Sequence, residues 1–222
     1  MEDNNLPKVG MNSGKVKNRT KFFYAMGEFP GGYLTTLISF FFLIYMTDFV
    51  GISPGWAGAI LFIGFVFDGI TDPIAGYLSD RSTNKFGRRR IFMLITAVPL
   101  GLTFLLLFTM PSLARLLPQA AKIVIVLAVY MVYIVMYTLY TTPYFAIIND
   151  ITDNYDERTS MMSWRMSLSI LAILIAVIIP DFFGLSDVQT FSTSGFAWVG
   201  GIFAVLVTAS ALISVFGMKE RP

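Results

Sequence analysis

The chain contains neither cysteine nor histidine in its 222 residues. The absence of cysteine excludes disulfides and thiol chemistry, and the absence of histidine removes the commonest metal ligand and proton shuttle. Hydrolytic or redox catalysis of the kind found in soluble enzymes therefore has little support. Because no nucleophile–base set, metal cluster or phosphate-binding loop occurs with suitable spacing, we expect neither an enzyme nor a bound cofactor.

Charged residues are also scarce, at 14%, whereas hydrophobic residues make up 55% and phenylalanine alone numbers 21. These proportions, with a mean hydropathy of +0.69, are typical of a polytopic membrane protein. A net charge of +2 gives no indication of nucleic-acid binding. Residues 1–22 are polar and basic, and the apolar run after them is long enough for a full span, so we predict no cleavable signal peptide.

Six apolar windows, each of about 20 residues, predict six transmembrane helices. The windows are 29–47, 55–78, 91–110, 123–148, 160–183 and 196–216. The predicted fold class is therefore all-α integral membrane. We divide the chain into a basic cytoplasmic tail (1–22), a six-helix bundle (23–217) and the start of a cytoplasmic central loop (218–222).

The lysines and arginines predict the orientation of these spans. Thirteen fall on one side of the windows, and only Arg115 and Lys122 fall on the other. Because basic loops are retained in the cytoplasm, we predict that both termini are cytoplasmic. The expected location is the cell membrane, as a multi-pass protein of a prokaryotic inner membrane. The remaining basic residue, Arg165, lies within a span.

Asp68 and Asp72 are four residues apart in the second window. This spacing places both carboxylates on one helix face, one turn apart. Each charge costs roughly 2.5–3.5 kcal/mol near the bilayer centre on insertion scales, so a purely structural pair is not expected. The plain alternatives are a solvated helix end or an ion pair with Arg165. The functional interpretation is a cation site, for Na⁺ or Li⁺ held with neutral oxygens, or for a proton, because burial and a like-charged neighbour favour protonation.

Three other features of the spans each have two interpretations. Arg165 either extends its charge toward the cytoplasmic surface or faces a cavity, where it would balance the aspartates or contact a solute. Glu28 is predicted to be a solvated acid at the start of the first window. Pro30-Gly31-Gly32 predicts a local helix break, which either exposes backbone groups to a ligand or lets neighbouring helices pack closely. In the fourth window, Tyr137 and neighbouring aromatic residues could stack on a sugar ring or face lipid.

The loop between the second and third windows combines glycines, an aspartate and a basic cluster. A basic loop alone would indicate only orientation. Residues at these offsets predict a gating latch, in which Asp80 interacts with arginine and with a neighbouring helix end. The predicted gating residues are Gly76, Asp80, Arg81, Gly87, Arg88, Arg89 and, between the fourth and fifth windows, Arg158.

The segment 76–90 resembles the signature loop of the major facilitator superfamily. Segments 47–51 (TDFVG), 68–73 (DGITDP) and 153–159 (DNYDERT) resemble those of the glycoside–pentoside–hexuronide:cation symporter family. The motifs occur in the family's order and cover almost the whole chain from about Lys21. The resemblance implies a major-facilitator-type bundle and cation-coupled transport.

The resemblance also implies roles for individual residues. Asp68 and Asp72 would bind Na⁺, Li⁺ or H⁺, with Thr138 as a hydroxyl ligand. Arg165 corresponds to a cavity-facing arginine. The substrate positions agree less well, because a member of the family has Lys-Asp at 31–32, aspartate at 141 and tryptophan at 145. The implied substrate-binding residues are Gly31, Gly32, Tyr137, Thr141, Phe145 and Arg165.

Family members have twelve spans, built as two six-helix bundles, and this chain matches the amino-terminal bundle. One bundle cannot enclose a cavity between two halves, so we expect the working unit to be a pair. The expected partner is a separate carboxy-terminal half, with a homodimer as second choice and a truncated fragment as the remaining alternative.

The sequence therefore predicts a half-size, cation-coupled symporter of a small polar, sugar-like solute that works by alternating access. Its expected partners are the solute, a monovalent cation, membrane lipid and a second six-helix half, and no nucleic acid. Two alternatives stay open. One is a non-transporting membrane subunit or sensor that keeps the fold, and the other is a lipid or lysolipid carrier.

Overall fold

The computed structural model describes residues 15–114, 117–182 and 193–218, and these residues are almost entirely helical. The helices are α1 (Asn18–Met26), α2 (Glu28–Leu37), α3 (Pro54–Arg81), α4 (Arg90–Ala114), α5 (Gln119–Ala146), α6 (Ile148–Ile151), α7 (Tyr155–Phe182) and α8 (Thr193–Gly217). Two π-helical segments, Ile38–Phe42 and Tyr45–Phe49, follow α2. The all-helical fold predicted from composition and hydropathy is confirmed.

Five of these helices are long and apolar enough to cross a membrane. They are α3, α4, α7, α8 and the combined stretch of α5 and α6. These five helices contain the second to sixth predicted windows within a few residues. The fifth window ends at Phe183, outside the described residues. The first window lies in a helical stretch that is divided into shorter segments. The count of six spans and the cytoplasmic side of the termini therefore stay predictions.

The first predicted span is longer than expected, and its break lies elsewhere. The chain is helical from 18 to 49, with a turn at Gly27 between α1 and α2. The predicted break at Pro30-Gly31-Gly32 is wrong, because α2 runs through these residues. Pro30 falls in the first turn of α2, where a missing backbone N–H removes no hydrogen bond within the helix.

The helices pack in a definite order. α4 lies against α5 and α8, α3 lies against α5, and α7 lies against α1 and α2, which also contact α8. α3 and α7 are thus the outermost helices and have the fewest buried residues in their apolar windows. Exposed apolar side chains on α3, such as Phe62 and Phe65, are expected where a helix faces lipid or another membrane segment.

A cluster of aromatic rings fills the centre of the bundle near the π-helical segments. The Tyr45 ring centroid lies 4.9 Å from that of Phe196 and 5.0 Å from that of Phe108. Along α5, Tyr130, Tyr133 and Tyr137 stack in sequence, with centroids 6.0 and 5.9 Å apart. These contacts connect the first span to α4, α5 and α8.

Gly64 allows α3 to approach α5 closely enough to form a site between them. A Cβ atom at this position would overlap the Tyr130 ring and would lie 2.9 Å from Ile134 Cδ1. A side chain here would push the two helices apart. The absence of one at Gly64 therefore keeps the next two turns of α3 within hydrogen-bonding distance of α5.

Candidate cation and solute site

Asp68 lies in the middle of α3 and points toward α5. The Thr138 hydroxyl donates a hydrogen bond of 2.7 Å to Asp68 Oδ1. Thr71 supports this arrangement, since its hydroxyl donates to the Asp68 carbonyl at 3.1 Å and lies 3.4 Å from Thr138 Oγ1. Asp68 is half-buried and Thr138 is fully buried. The structure therefore brings together Asp68 and the hydroxyl that the family resemblance had suggested as its co-ligand.

Asp72 lies one turn further along the same face of α3. Its Oδ1 accepts a 3.1 Å hydrogen bond from the Thr142 hydroxyl, and the residue is exposed in this chain. Thr142 was missed by the sequence analysis. The signal was present, because Thr138 and Thr142 repeat on α5 the four-residue spacing of Asp68 and Asp72 on α3. Two carboxylate–hydroxyl pairs thus lie one above the other.

Within the part of the chain that the structure describes, no basic side chain forms an ion pair with either aspartate. Among the described residues, the lysines and arginines that form ion pairs pair with other acids, namely Glu28, Asp80, Asp150, Asp153 and Glu157. The alternative of a structural ion pair between Arg165 and these aspartates is therefore wrong. Carboxylate and hydroxyl oxygens are hard ligands that suit a small monovalent cation, and carboxylates can also take up protons.

A cavity of about 590 Å³ opens beside the two aspartates. Its size lies within the usual range for small-molecule sites of ≈ 300–1,000 Å³. A smaller cavity of about 150 Å³ also borders Asp68, and Thr35 and Ser39 are among the residues that line it. Tyr137 borders both cavities. The larger cavity is lined by Asp68, Asp72, Tyr137, Thr141, Thr142, Phe145 and Ala146.

The predicted substrate residues occupy different places around this cavity. Tyr137, Thr141 and Phe145 line it, although the Thr141 hydroxyl donates to the Tyr137 carbonyl of its own helix at 2.9 Å. Gly31 lies beside the Tyr137 hydroxyl, since a Cβ there would be in ordinary contact with it at 4.0 Å. Gly32 instead packs against α7, where a Cβ would lie 2.7 Å from Ala172 Cβ. Close packing, one of the two interpretations of these glycines, therefore describes Gly32.

Arg165 pairs with Glu28, which the sequence analysis had placed in solvent. The Arg165 Nε atom lies 3.5 Å from Glu28 Oε2, and only 15% and 13% of the two side chains are exposed. The Arg165 guanidinium also lies 5.0 Å from the centroid of the Phe145 ring. The prediction for Glu28 is wrong because α1 extends the helical structure well before this residue, so Glu28 lies inside the bundle and not at its end.

The residues predicted to form a gating latch make an ion-pair network at one end of the bundle, which we call the basic end, and their gating role stays a prediction. Arg89 bridges Asp80 at 2.8 Å and Asp150 at 2.9 Å, and it also donates to the Ala146 carbonyl. Arg88 reaches Asp150 at 3.1 Å. Asp150, in the short helix α6, was missed by the sequence analysis, although it pairs with both Arg88 and Arg89.

The other predicted gating residues have more local roles. Arg81 stacks on Tyr77, with its guanidinium 4.5 Å from the ring centroid. Arg158 donates to the Thr152 carbonyl at 2.8 Å and lies 3.7 Å from Asp153. Gly87 has a φ of 110°, a conformation in which side chains are disfavoured, and Gly76 faces Thr142 on α5. The network thus connects α3, α4, α5 and α6 through Arg89.

Comparison with known proteins indicates the family to which this chain belongs. A family model described as MFS/sugar transport protein matches residues 23–222. A symporter of Synechocystis sp. is 32% identical over 221 residues, which is 95% of this chain and 39% of that protein. The Escherichia coli protein YagG, which is named as a glycoside/cation symporter, is 30% identical over 209 residues, which is 91% of this chain and 43% of that protein.

A third relative comes from a vertebrate. Sodium-dependent lysophosphatidylcholine symporter 1-B of Danio rerio is 30% identical over 176 residues, or 78% of this chain and 33% of that protein. This chain therefore spans less than half the length of each of these three relatives.

Proposed function

Because this chain belongs to the MFS/sugar transport protein family, we propose that it forms one half of a cation-coupled symporter for a small polar, sugar-like solute. The chain is a multi-pass membrane protein, its described residues include five membrane-capable helices, and bacterial relatives are named symporters. The observation that best supports this proposal is that Asp68 and Asp72 border one cavity and accept hydrogen bonds from threonine hydroxyls. Among the described residues, neither aspartate has an ion-pair partner.

The coupling ion would occupy the space between the two aspartates. Na⁺ or Li⁺ would be held by the carboxylates of Asp68 and Asp72 and by the hydroxyls of Thr138 and Thr142. A bound proton would serve the same purpose by neutralising one carboxylate. Either event removes charge from the wall of the cavity that the solute enters. Solute and cation would then each increase the affinity of the protein for the other.

The working unit would be a pair of six-helix halves that works by alternating access, in which the solute cavity opens in turn to each side of the membrane. The cavity lies between α3 and α5, and the outermost helices, α3 and α7, have exposed apolar faces that a second bundle could cover. In this arrangement the open side of the cavity beside Asp72 faces the partner. A carboxy-terminal half would be the partner, with a second copy of this chain as the alternative.

The test is cation-dependent solute binding by the chain reconstituted in lipid nanodiscs. We expect Na⁺, Li⁺ or acidic pH to increase the affinity for a simple glycoside. The double substitution Asp68→Asn and Asp72→Asn should abolish this dependence, whereas Asp48→Asn, which neutralises an exposed acid of the first span, should preserve it. Dependence that survives in the double variant would contradict the proposal.

A lysolipid carrier is the second candidate. The observation in its favour is the row of exposed apolar side chains on α3 beside the cavity, including Phe65 and Ile70, together with the Danio rerio relative. An acyl chain could lie along this face while a headgroup entered the cavity. Competition by a lysophospholipid, but not by a glycoside, for the cation-dependent site would favour this candidate.

A further inference from the structure

We propose that the smaller cavity, of about 150 Å³, is a second position for Na⁺ or Li⁺, from which the coupling ion enters the space between Asp68 and Asp72 without crossing the solute cavity. This inference rests on the proposed transport function and adds to it a route for the cation. The cavity includes Thr35 and Ser39 of the first span, which neither the sequence motifs nor the family resemblance assigned to a site.

The two cavities follow one another along α3 and α5. On α3, the smaller cavity is lined by Gly64, Phe65 and Asp68, whereas the larger one is lined by Asp68 and Asp72. On α5, the smaller cavity is lined by residues up to Tyr137 and the larger one by residues from Tyr137 onward. Because α3 and α5 both end at the basic end, the smaller cavity lies further from that end. An ion that arrives through it meets Asp68 before Asp72.

The size of the smaller cavity suits an ion and not a sugar. Its volume of about 150 Å³ is below the usual ≈ 300–1,000 Å³ of small-molecule sites. A water molecule takes up about 30 Å³ in the liquid, so the cavity has space for a cation that keeps a few of its waters. Thr35 and Ser39 are exposed in this chain, which leaves the cavity open to an arriving ion.

The lining of the smaller cavity combines one carboxylate with several hydroxyls. The Thr138 hydroxyl occupies Asp68 Oδ1, whereas Asp68 Oδ2 accepts no hydrogen bond within the described part of the chain. Thr35 Oγ1 and the Tyr137 hydroxyl lie 2.9 Å apart, and Ser39 follows Thr35 by four residues on the first span. None of the described lining residues is basic. One negative charge with neutral hard oxygens suits a monovalent cation.

A second position lets the ion lose its waters in two steps. In the smaller cavity the ion meets one carboxylate, and between Asp68 and Asp72 it meets two. Passage of an ion requires sites that bind it firmly enough for entry and weakly enough for release. Because Asp68 borders both cavities, it can pass the ion onward while the solute occupies the larger cavity.

The experiment uses the absence of cysteine from the chain, since one introduced thiol then reports on one position. Ser39→Cys is combined with Asp72→Asn, which holds the ion at the first of the two positions. The whole chain in nanodiscs reacts with a small cationic methanethiosulfonate, with N-methylglucamine replacing Na⁺ at constant ionic strength. Na⁺ at ten times its dissociation constant, measured with radioactive sodium in the same variant, should slow the reaction about tenfold, because the free fraction falls to about one-eleventh. With Asp68→Asn in place of Asp72→Asn, Na⁺ should give no protection.

Two controls separate occupation of the cavity from a distant conformational effect. The cationic reagent should modify Ser39→Cys at least about tenfold faster than an anionic reagent of similar size, as expected for a cleft of one charge sign, and Asp68→Asn should remove this difference. Ala146→Cys places the thiol in the larger cavity, where methyl β-glucopyranoside and not Na⁺ alone should protect it. Thr35→Cys is the second probe of the smaller cavity. An unreactive thiol at both positions, protection that survives Asp68→Asn, or no Na⁺ binding in Asp72→Asn would overturn the inference.

Failure of the second position can be distinguished from failure of the proposed function. Na⁺ binding that depends on Asp68 and Asp72, without protection of Ser39→Cys, rejects the second position alone. Glycoside binding that depends on pH, without any Na⁺ or Li⁺ binding, also rejects the second position alone. A wild-type chain that binds neither Na⁺ nor the glycoside at any pH rejects the proposed function, and with it the inference.

Discussion

Two groups of acids in this chain differ in what surrounds them. At the basic end, Asp80 and Asp150 are neutralised by Arg89, which is itself buried. In the middle of α3, Asp68 and Asp72 have only threonine hydroxyls as hydrogen-bond donors among the described side chains. An acid with a fixed counter-charge stabilises the structure, whereas an acid with neutral donors keeps its charge available to a mobile cation.

The largest expected effect follows from removing the fixed counter-charge. Arg89→Ala would leave Asp80 and Asp150 without their shared partner, and we expect it to lower the free energy of unfolding by about 3–5 kcal/mol. Thermal unfolding of the protein in nanodiscs measures this. Arg81→Ala is the matched control, because Arg81 contacts only the Tyr77 ring in a described interaction, which is worth about 0.5–1 kcal/mol at exposed sites. Equal effects of the two variants would contradict the role of Arg89.

Neutralising one acid should change the free energy of unfolding in opposite directions in the two groups. Asp68→Asn should raise the free energy of unfolding in the absence of Na⁺ and Li⁺ by about 1–2 kcal/mol, since it removes an intramembrane charge without a counter-charge. Asp150→Asn should lower it by about 1–3 kcal/mol, because it weakens two charged hydrogen bonds. The same sign for both variants in thermal unfolding would remove the distinction between the groups.

The third prediction examines the hydroxyls beside the mid-membrane acids. Thr138→Val keeps the shape of the side chain but removes the buried 2.7 Å hydrogen bond to Asp68. We expect the cation affinity to fall about tenfold, equivalent to about 1.4 kcal/mol, because the cation would lose a hydroxyl ligand. Thr142→Val, at the exposed Asp72, should reduce it by a smaller factor. Radioactive sodium binding provides the measurement, and unchanged affinity in Thr138→Val would argue against a ligand role.

The smallest effect is expected at the exposed member of the basic-end group. The Asp80 side chain is 57% exposed, whereas that of Asp150 is 20% exposed. Asp80→Asn should therefore change the free energy of unfolding by less than about 1 kcal/mol, as is usual for solvent-exposed ion pairs. Thermal unfolding compares it with Asp150→Asn. A larger effect of the Asp80 substitution would show that exposure does not determine the strength of this network.

Local spacing and charge were sufficient to predict part of the site. Asp68 and Asp72 were found because charges are costly in an apolar helix, and their shared face follows from their separation by four residues. The Asp80–arginine contact was also predicted, because both groups lie in one short loop. Each of these features depends on residues close together in the sequence.

Contacts between distant segments were not predicted from spacing and charge, and the one between Asp68 and Thr138 was suggested only by the family resemblance. Glu28 and Arg165 are 137 positions apart, and nothing in either segment indicates that α2 and α7 pack together there. Asp150 likewise has its arginine partners 61 and 62 positions away. The first span is interrupted at Gly27 and not at Pro30. The sequence analysis misplaced this interruption for another reason, because proline is tolerated in the first turn of a helix.

The two π-helical segments of the first span have a consequence for its tolerance of length changes. A π-turn contains an additional residue compared with an α-turn. Deleting one residue from Ile38–Phe42 would let that turn close as a regular α-helix without rotating the flanking turns. A deletion in α2 would instead rotate the following residues by about 100°, since an α-helix has 3.6 residues per turn. The middle of the first span can thus lose a residue that its neighbouring turns cannot.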